Sequence, residues 1–406
     1  MDRLKQPPNR KEFKKMLRSM YSGISGMKNF QTKLDVIGNN IANVNTYGFK
    51  KGRVTFKDTM NQTISGASAA TENKGGKNPM QVGLGSTIAT IDTIDTQSSL
   101  QTTGRSLDLA ISGDGYFVVK QGGAEFYTRA GNFYLDEDGT LVNGDGYKVQ
   151  SYDKGVLKDI KIDVNSILPA QKTTNITIDG NFPSNIAGAT EQLQQLKIVD
   201  NDGNDHTVEM TLKNLNANEW QMTLQDRSLT PLVPFVVKFN TTTKEFTMPN
   251  PNNGLKLSSG DIPLSFIAGE VTSNGNNLNA LFNPDGSTQG AIESFSIGQM
   301  GEISGVFSNG RVENLGTIAL AKFSNNAGLS KVGNNMFQNS VNSGIPNIGA
   351  PGNGFGTIAA GALEMSNVDL SEEFTEMITA QRGFQANTRI ITTSDEILQE
   401  LINLKR

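Results

Sequence analysis

The closing stretch of the chain, Asp369 to Lys405, constrains everything that precedes it. Counting from Leu370 in alternating steps of four and three reaches Leu370, Phe374, Met377, Gln381, Phe384, Thr388, Ile391, Asp395, Leu398 and Ile402, and seven of these ten are apolar. Ile378, Ile397 and Leu401 widen the stripe. A spacing of 3.5 specifies a helix with one apolar seam and excludes a strand, whose spacing is 2. Ser371 is the expected N-cap, with Glu372 and Glu373 in the first turn, and Lys405 and Arg406 suit the C-terminal end of the dipole. Gly383 is the one interruption. At ~1.5 Å per residue such a helix reaches roughly 50 Å. A rod of that shape cannot bury its own stripe.

The other terminus carries a matching element. The same counting from Leu17 gives Leu17, Met20, Ile24, Met27, Gln31, Leu34, Gly38 and Ile41, six of eight apolar. A helix is predicted from Leu17 to Val44, weakened near Gly38 and stopped by Gly48. Burying about a dozen such side chains at ~1.5–3 kcal/mol each is a large gross term. Two arrangements satisfy this pattern. One is an intramolecular helical hairpin alone; the other is a hairpin whose outer half is covered by further copies.

Composition bounds the rest. A chain of 406 residues suits two to four domains. Modest apolar content with abundant Gly, Asn, Ser and Thr suits turn-rich β structure. Cysteine is absent, so no disulfide or thiolate site can form. A net charge of −4 makes no case for nucleic acid. No run of 18 apolar residues indicates a membrane span. Met1 to Lys15 holds six positive and two negative residues, hence +4, with Pro7-Pro8 breaking any helix. It lacks the hydrophobic run of a secretory signal.

Between the helices the period changes. Lys50 to Thr96 is poor in aromatics, and Gln62 to Asn78 reads as a loop or long connector. From Leu100 the pattern becomes β: Leu107, Leu109 and Ile111 alternate, and Asp138-Gly139 marks a hairpin. The β character returns at Gly305 to Phe307, at the Asn309-Gly310 turn and at Ile318 to Leu320. Inside lies an insert, about Ile167 to Ser294. Leu196/Ile198, Val208/Met210/Leu212 and Trp220/Met222/Leu224 alternate there, with turns at Asp202-Gly203 and Ala217-Asn218. Short strands so punctuated suggest an antiparallel sandwich or barrel.

Residues that could carry chemistry are few. Asp200 to Asp205 superficially resembles a calcium loop, but the sixth position is Asp205 and the twelfth Thr211, where Gly and Glu are required. Asp136, Glu137 and Asp138 sit at a predicted hairpin tip. His206 is the only histidine, which gives a metal site or a catalytic triad little to work with. Trp220 reads as core. No catalytic, cofactor or metal residues are assigned, and the chain is not expected to be an enzyme.

The residues Gly38-Asn39-Asn40-Ile41-Ala42-Asn43-Val44-Asn45-Thr46-Tyr47-Gly48-Phe49-Lys50 resemble the signature of the bacterial flagellar rod and hook family. Glu373 to Asn387, continuing through Asn403-Leu404-Lys405-Arg406, is similar to that family's other end, and looser similarity covers Thr103 to Tyr152 and Gly361 to Asn367. The resemblance implies an α+β, mainly β fold. Terminal helices (16–50 and 364–406) form a coiled-coil-like inner domain, with a connector at 51–96. Two nested β-rich domains follow, a middle one (97–166 and 295–363) and an outer insert (167–294). Met16 is the expected natural start, residues 1–15 being an over-long reading or a tail.

By the same resemblance, the assembly residues are Leu17, Met20, Ile24, Met27, Leu34, Asn39, Asn40, Ile41, Asn43, Gly48 and Phe49. From the last helix they are Phe374, Met377, Ile378, Gln381, Arg382, Phe384, Ile391, Leu398, Leu401 and Ile402. The large insert favours the hook members of the family. The implied function is a homopolymeric subunit of a flexible tubular joint that transmits torque from rod to filament. Implied partners are the rod, hook-cap and hook–filament junction proteins and the flagellar export machinery, with extracellular delivery and no cleaved signal peptide. A distal rod subunit, or a secreted β-rich adhesin or enzyme, stands as the alternative.

Overall fold

The computed structural model describes residues 10–71, 74–163, 167–183, 192–216, 219–226, 234–247, 255–257, 260–273 and 277–403; the side chains of 10–17, 192, 260, 401 and 402 lie outside that description. The chain forms two compact units. The first comprises Met1–Ile162, Ile297–Ile303 and Gly316–Arg406; the second comprises Asp163–Ser296 and Ser304–Leu315.

In the first unit, helices α1 (Arg10–Ala42) and α2 (Leu370–Asn403) pack side by side. Helix α1 starts earlier than the predicted Leu17, because Arg, Lys and Glu propagate a helix once a turn exists. The cap of α2 is Asp369, not Ser371. Asp369 Oδ1 accepts the Ser371 N–H at 2.8 Å and the Glu372 N–H at 3.4 Å, and its carbonyl accepts the Glu373 N–H at 3.0 Å. A carboxylate just ahead of the helix meets the exposed amides and the positive end of the dipole together. Lys405 and Arg406 lie outside the described residues. Neither helix is long and apolar enough to cross a membrane.

The stretch read as a connector is extended, but it is paired with itself. Strand Gly52–Asp58 runs antiparallel to Ser86–Thr93, and Asn61–Ser65 to Met80–Gly83. Bridges Ser68–Lys77 and Thr71–Lys74 continue this ribbon toward its tip. The inner ribbon strands expose Met60, Ile64, Met80 and Val82. Gln62 pairs with Val82, Thr63 with Gln81 and Ser65 with Met80, with a register shift between Thr63 and Ser65, so Met80 and Val82 share a face with Gln62 and Ser65.

A ten-stranded sheet forms the body of the first unit. Strand Tyr116–Gln121 lies at its centre. It pairs with Ala124–Thr128, Lys148–Asp153 and, from beyond the insert, Leu320–Lys322. Its core packs Tyr116, Tyr127, Phe323 and Phe337 edge to face, with Tyr127 and Phe323 centroids 4.8 Å apart. The predicted hairpin at Asp138-Gly139 is present: strands Tyr134–Leu135 and Leu141–Val142 pair, and Gly139 takes a φ of 74°. Asp136, Glu137 and Asp138 belong to that turn.

In the second unit, five antiparallel strands between Gln192 and Thr247 form one sheet, ordered as in the sequence. A smaller sheet centres on Asn175–Asn181, flanked by Ser265–Thr272 and Asn279–Pro284. The pairing with Ser265–Thr272 is parallel, a departure from the all-antiparallel expectation. The sheets share one core, in which Trp220 is fully buried against Phe182, itself beside Phe239. This is sheet-on-sheet packing, with inward residues supplied by strict alternation. The Asp202-Gly203 turn is present; Ala217-Asn218 lies outside the described residues.

Candidate subunit-assembly surface

Contacts between the helices centre on one heptad register on each, joined from beside it by Glu376 and Gly383 on α2 and by Thr388, whose Oγ1 lies 3.7 Å from Met27 Sδ on α1. On α1 the seam is Gly23, Gly26, Phe30, Lys33, Ile37 and Asn40; on α2 it is Glu373, Met377, Ala380, Phe384, Asn387, Ile391, Ser394 and Leu398. The pairs descend in antiparallel order. Asn40 Nδ2 donates to Glu373 Oε2 (3.1 Å), Lys33 Nζ meets Glu376 Oε2 (3.1 Å), and the Phe30 ring covers Gly383. Gly26 faces Asn387, and Gly23 faces Ile391. Small residues alternate with large ones, so the backbones approach closely. A methyl group at Gly383 would sit 2.6 Å from the Phe30 ring.

The α1 stripe read from the sequence is therefore displaced from this seam by one residue, about 100° around the helix. Met20, Ile24, Met27, Leu34 and Ile41 are half-buried on that neighbouring face; Leu17 lies outside the described side chains. On α2 the sequence stripe splits. Met377, Phe384, Ile391 and Leu398 enter the seam, half-buried, whereas Phe374 and Ile378 remain 50% and 52% exposed, with Gln381 and Arg382 also exposed. Ile390 and Ile397 are exposed on the opposite flank. Leu401 and Ile402 lie outside the described side chains.

The asparagine-rich signature works inside the chain. Asn40 is 1% exposed, and its amide donates to the Gly52 carbonyl and accepts the Gly52 N–H, both at 2.9 Å. Asn43 bonds back to Asn39, which is exposed, and receives Thr46 Oγ1. Gly48 has a φ of 68°, donates to the Glu364 carbonyl (2.8 Å) and lies where a Cβ would meet the Ala130 backbone at 2.6 Å. Phe49 is buried, with Lys331 Nζ 5.1 Å above its ring.

A cluster that sequence reasoning missed lies where both helices join the β sheet. Glu364 Oε1 accepts from Lys50 Nζ (2.8 Å) and the Ser98 N–H (3.1 Å), and Oε2 from Arg129 (3.1 Å). Lys50 also donates to the Thr96 carbonyl (2.7 Å), and Arg129 to the Gly113 carbonyl (2.9 Å). Asp95 sits 3.8 Å from Lys50 and accepts Tyr116 and Asn326, both at 2.7 Å. Burial, with Asp95 adding to it, pushes the Tyr116 phenol far above its ordinary range. Lys50, Arg129 and Glu364 are all but fully buried. The sequence held a signal: Glu364 closes an uncharged run that begins at Val332.

Asp200 serves its own turn, accepting the Asp202 and Asn204 N–H groups at 2.9 and 2.8 Å and facing His206 Nε2 at 3.0 Å. Among the described residues, no three His, Asp or Glu side chains are placed to share a metal ion.

Three family profiles match the chain: the flagella basal body rod protein at residues 20–50, the flagellar hook protein FlgE/F/G D1 domain at 110–182, and the flagellar basal body rod FlgEFG protein C-terminal region at 359–404. The flagellar hook protein FlgE of Borreliella burgdorferi is 39% identical, over 96% of this chain and 100% of its own. The FlgE of Salmonella typhimurium is 33% identical over 95% and 100%. A Bacillus subtilis protein named flagellar basal-body rod protein FlgG is 42% identical over 96% and 100%. The crystal structure of Helicobacter pylori hook protein FlgE2 is similar in fold, with a TM-score of 0.50 at 16% identity, covering 65% of this chain and 100% of that one. The profiles fall on the helices and the sheet just described, the relatives span nearly all of the chain, and the chain belongs to the flagellar rod and hook protein family.

Proposed function

We propose that the chain is a structural subunit of the flagellar hook, a tubular joint built from many identical copies that passes torque from rod to filament. The observation that carries this reading is the division of labour on the helices. The seam between α1 and α2 is filled within one chain by glycines, polar residues and a few large side chains. Phe374, Ile378, Ile390 and Ile397 are left on its two flanks, apolar and exposed. Neighbouring copies supply the cover. Of the predicted assembly residues, Phe374, Ile378, Gln381 and Arg382 then act from the flanks of α2 and Met20, Ile24, Met27, Leu34 and Ile41 from the face of α1 beside the seam, whereas Met377, Phe384, Ile391 and Leu398 act within the seam and Asn40, Gly48 and Phe49 act indirectly by fixing where α1 ends. The exposed Met60, Ile64, Met80 and Val82 of the ribbon add a further surface for a neighbour.

The test is polymerisation. Concentrated purified chain is expected to sediment as tubes visible by negative stain; a chain that stays monomeric at high concentration overturns the reading. The rod alternative has one observation in its favour, the 42% identity to the Bacillus subtilis protein named for the rod. That match spans the insert too, so insert size does not separate the two readings. Hook-named relatives from several species match over 98–100% of their length. Curved tubes favour a hook, straight ones a rod. Delivery through the flagellum's own export apparatus, without a cleaved leader, belongs to the same proposal, as do contacts with rod, cap and junction proteins. The intact mass of assembled protein, showing an uncleaved N-terminus, checks the export part.

A further inference from the structure

The Lys50–Glu364–Arg129 cluster stands where α1 and α2 meet the sheet, and no apolar contact could do what its geometry does. Three other chain segments converge on the single Glu364 side chain. Lys50 comes from the segment leaving α1, Ser98 from the return of the ribbon, and Arg129 from the central sheet; Glu364 itself leads toward α2. Backbone bonds around it are equally crossed. Gly48 N–H donates to the Glu364 carbonyl at 2.8 Å, Lys51 N–H to Asn367 Oδ1 at 2.7 Å, and Asn367 Nδ2 to the Ile94 carbonyl at 2.8 Å. Five residues past Glu364, Asp369 caps α2.

Apolar packing is non-directional and lets layers slide. Ion pairs with fixed hydrogen-bond directions do not slide, yet their desolvation cost commonly cancels their attraction, so a buried ionic cluster is weak evidence of stability. Its value here is angular. Helix α2 has 34 residues. At ~1.5 Å each, a tilt of about 5° at its base moves its far end sideways by roughly 4 Å, near half the ~8–10 Å that separates packed helices and enough to lose side-chain contacts with a neighbour.

We propose that the Lys50–Glu364–Arg129 cluster is a positioning device that sets the angle at which α1 and α2 leave the sheet, and thereby the register in which copies assemble, rather than a source of stability. This rests on the polymeric reading above.

The test replaces all three charges by apolar residues of similar size, Lys50→Met, Arg129→Met and Glu364→Leu together, in a chain that also carries Asp95→Asn, and this chain is the triple variant. Asp95 is changed because Lys50 Nζ, 3.8 Å away, is its cation and the loss of that cation would leave a buried carboxylate uncompensated, whereas an amide there still faces Tyr116 and Asn326. The triple variant is expected to melt as monomer at or above the wild-type temperature. Its critical concentration should rise about tenfold or more, or its tubes should differ in diameter or curvature. Tubes of wild-type dimensions at an unchanged critical concentration overturn the proposal. A triple variant that fails to fold also overturns it, because the cluster would then be holding the fold together. Glu364→Gln, which keeps the shape but takes the shared carboxylate from Lys50 and Arg129, is expected by contrast to melt well below wild type, since breaking a buried pair on one side destabilises more than replacing all of it. If the wild-type chain itself never polymerises, the functional reading fails; if it polymerises and the triple variant does so equally well, only this inference fails.

Discussion

Asn40 explains why an amide, and not an aliphatic residue, ends the apolar run of α1. One side chain satisfies both backbone groups of Gly52 and still reaches Glu373. Glu373 is nearly buried there. Burial raises its pKa, opposed by the Asn40 hydrogen bond and the Lys51 charge, while Glu376 and Glu372 push the same way as burial. A folded pKa above the unfolded value means that the native state binds the proton more tightly, so this group's contribution to stability falls as pH rises through the folded pKa. Glu373→Gln is therefore expected to raise the monomer melting temperature at pH 7 and to lose that advantage below about pH 4, where the unfolded carboxyl is protonated too. Thermal melts at the two pH values check it; an equal shift at both would refute the burial argument. Gly48→Ala should cost about 3 kcal/mol or more, since a positive φ and a collision with immovable backbone add together. Denaturant unfolding reads that loss. Of these residues the sequence disclosed Gly48 as the stop of α1, and the asparagines only as part of the family signature, not the contact with Gly52. It could not disclose Lys50, Arg129 or Glu364 as a group, because they lie far apart in sequence and only the fold brings them together.

At the scale of elements, heptad counting found both helices but placed the α1 seam one residue away. The reason is physical. Hydrophobicity marks every face that is eventually covered, and it does not say by whom. The face that closes the hairpin is rich in small and polar residues, because close approach of two backbones suits Gly23, Gly26, Ala380 and Gly383. Gly383→Ala illustrates the balance. Alanine gains about 1 kcal/mol of helix propensity, but displacing the Phe30 ring costs about 1–3 kcal/mol. The expected net is a modest loss in melting temperature. Phe374→Asp with Ile378→Asp probes the other side of the helix. These positions are half exposed in the monomer, so stability should change by less than about 0.5 kcal/mol, while sedimentation should show polymerisation abolished. Unchanged polymerisation would remove the free flank from the assembly surface. The strands of the second unit were plain in the sequence, since alternation is local. The ribbon at 52–93 was not, since few aromatic residues mark it.

On the scale of the whole molecule, the second unit has its own core around Trp220, Phe182 and Phe239. Removing residues 163–296 through a short flexible linker should leave the first unit folded and able to assemble, with tubes stiffer than wild type by image-based curvature analysis. Abolished assembly would place assembly contacts in the second unit as well. The two flanks of α2 carry a last consequence. Phe374 and Ile378 lie to one side of the seam, Ile390 and Ile397 to the other. A particle adhesive on a single side is saturated after meeting one companion. A particle adhesive on both sides always presents an unmet one, so growth has no intrinsic stopping point, and the length of the finished object must be decided by something outside the subunit.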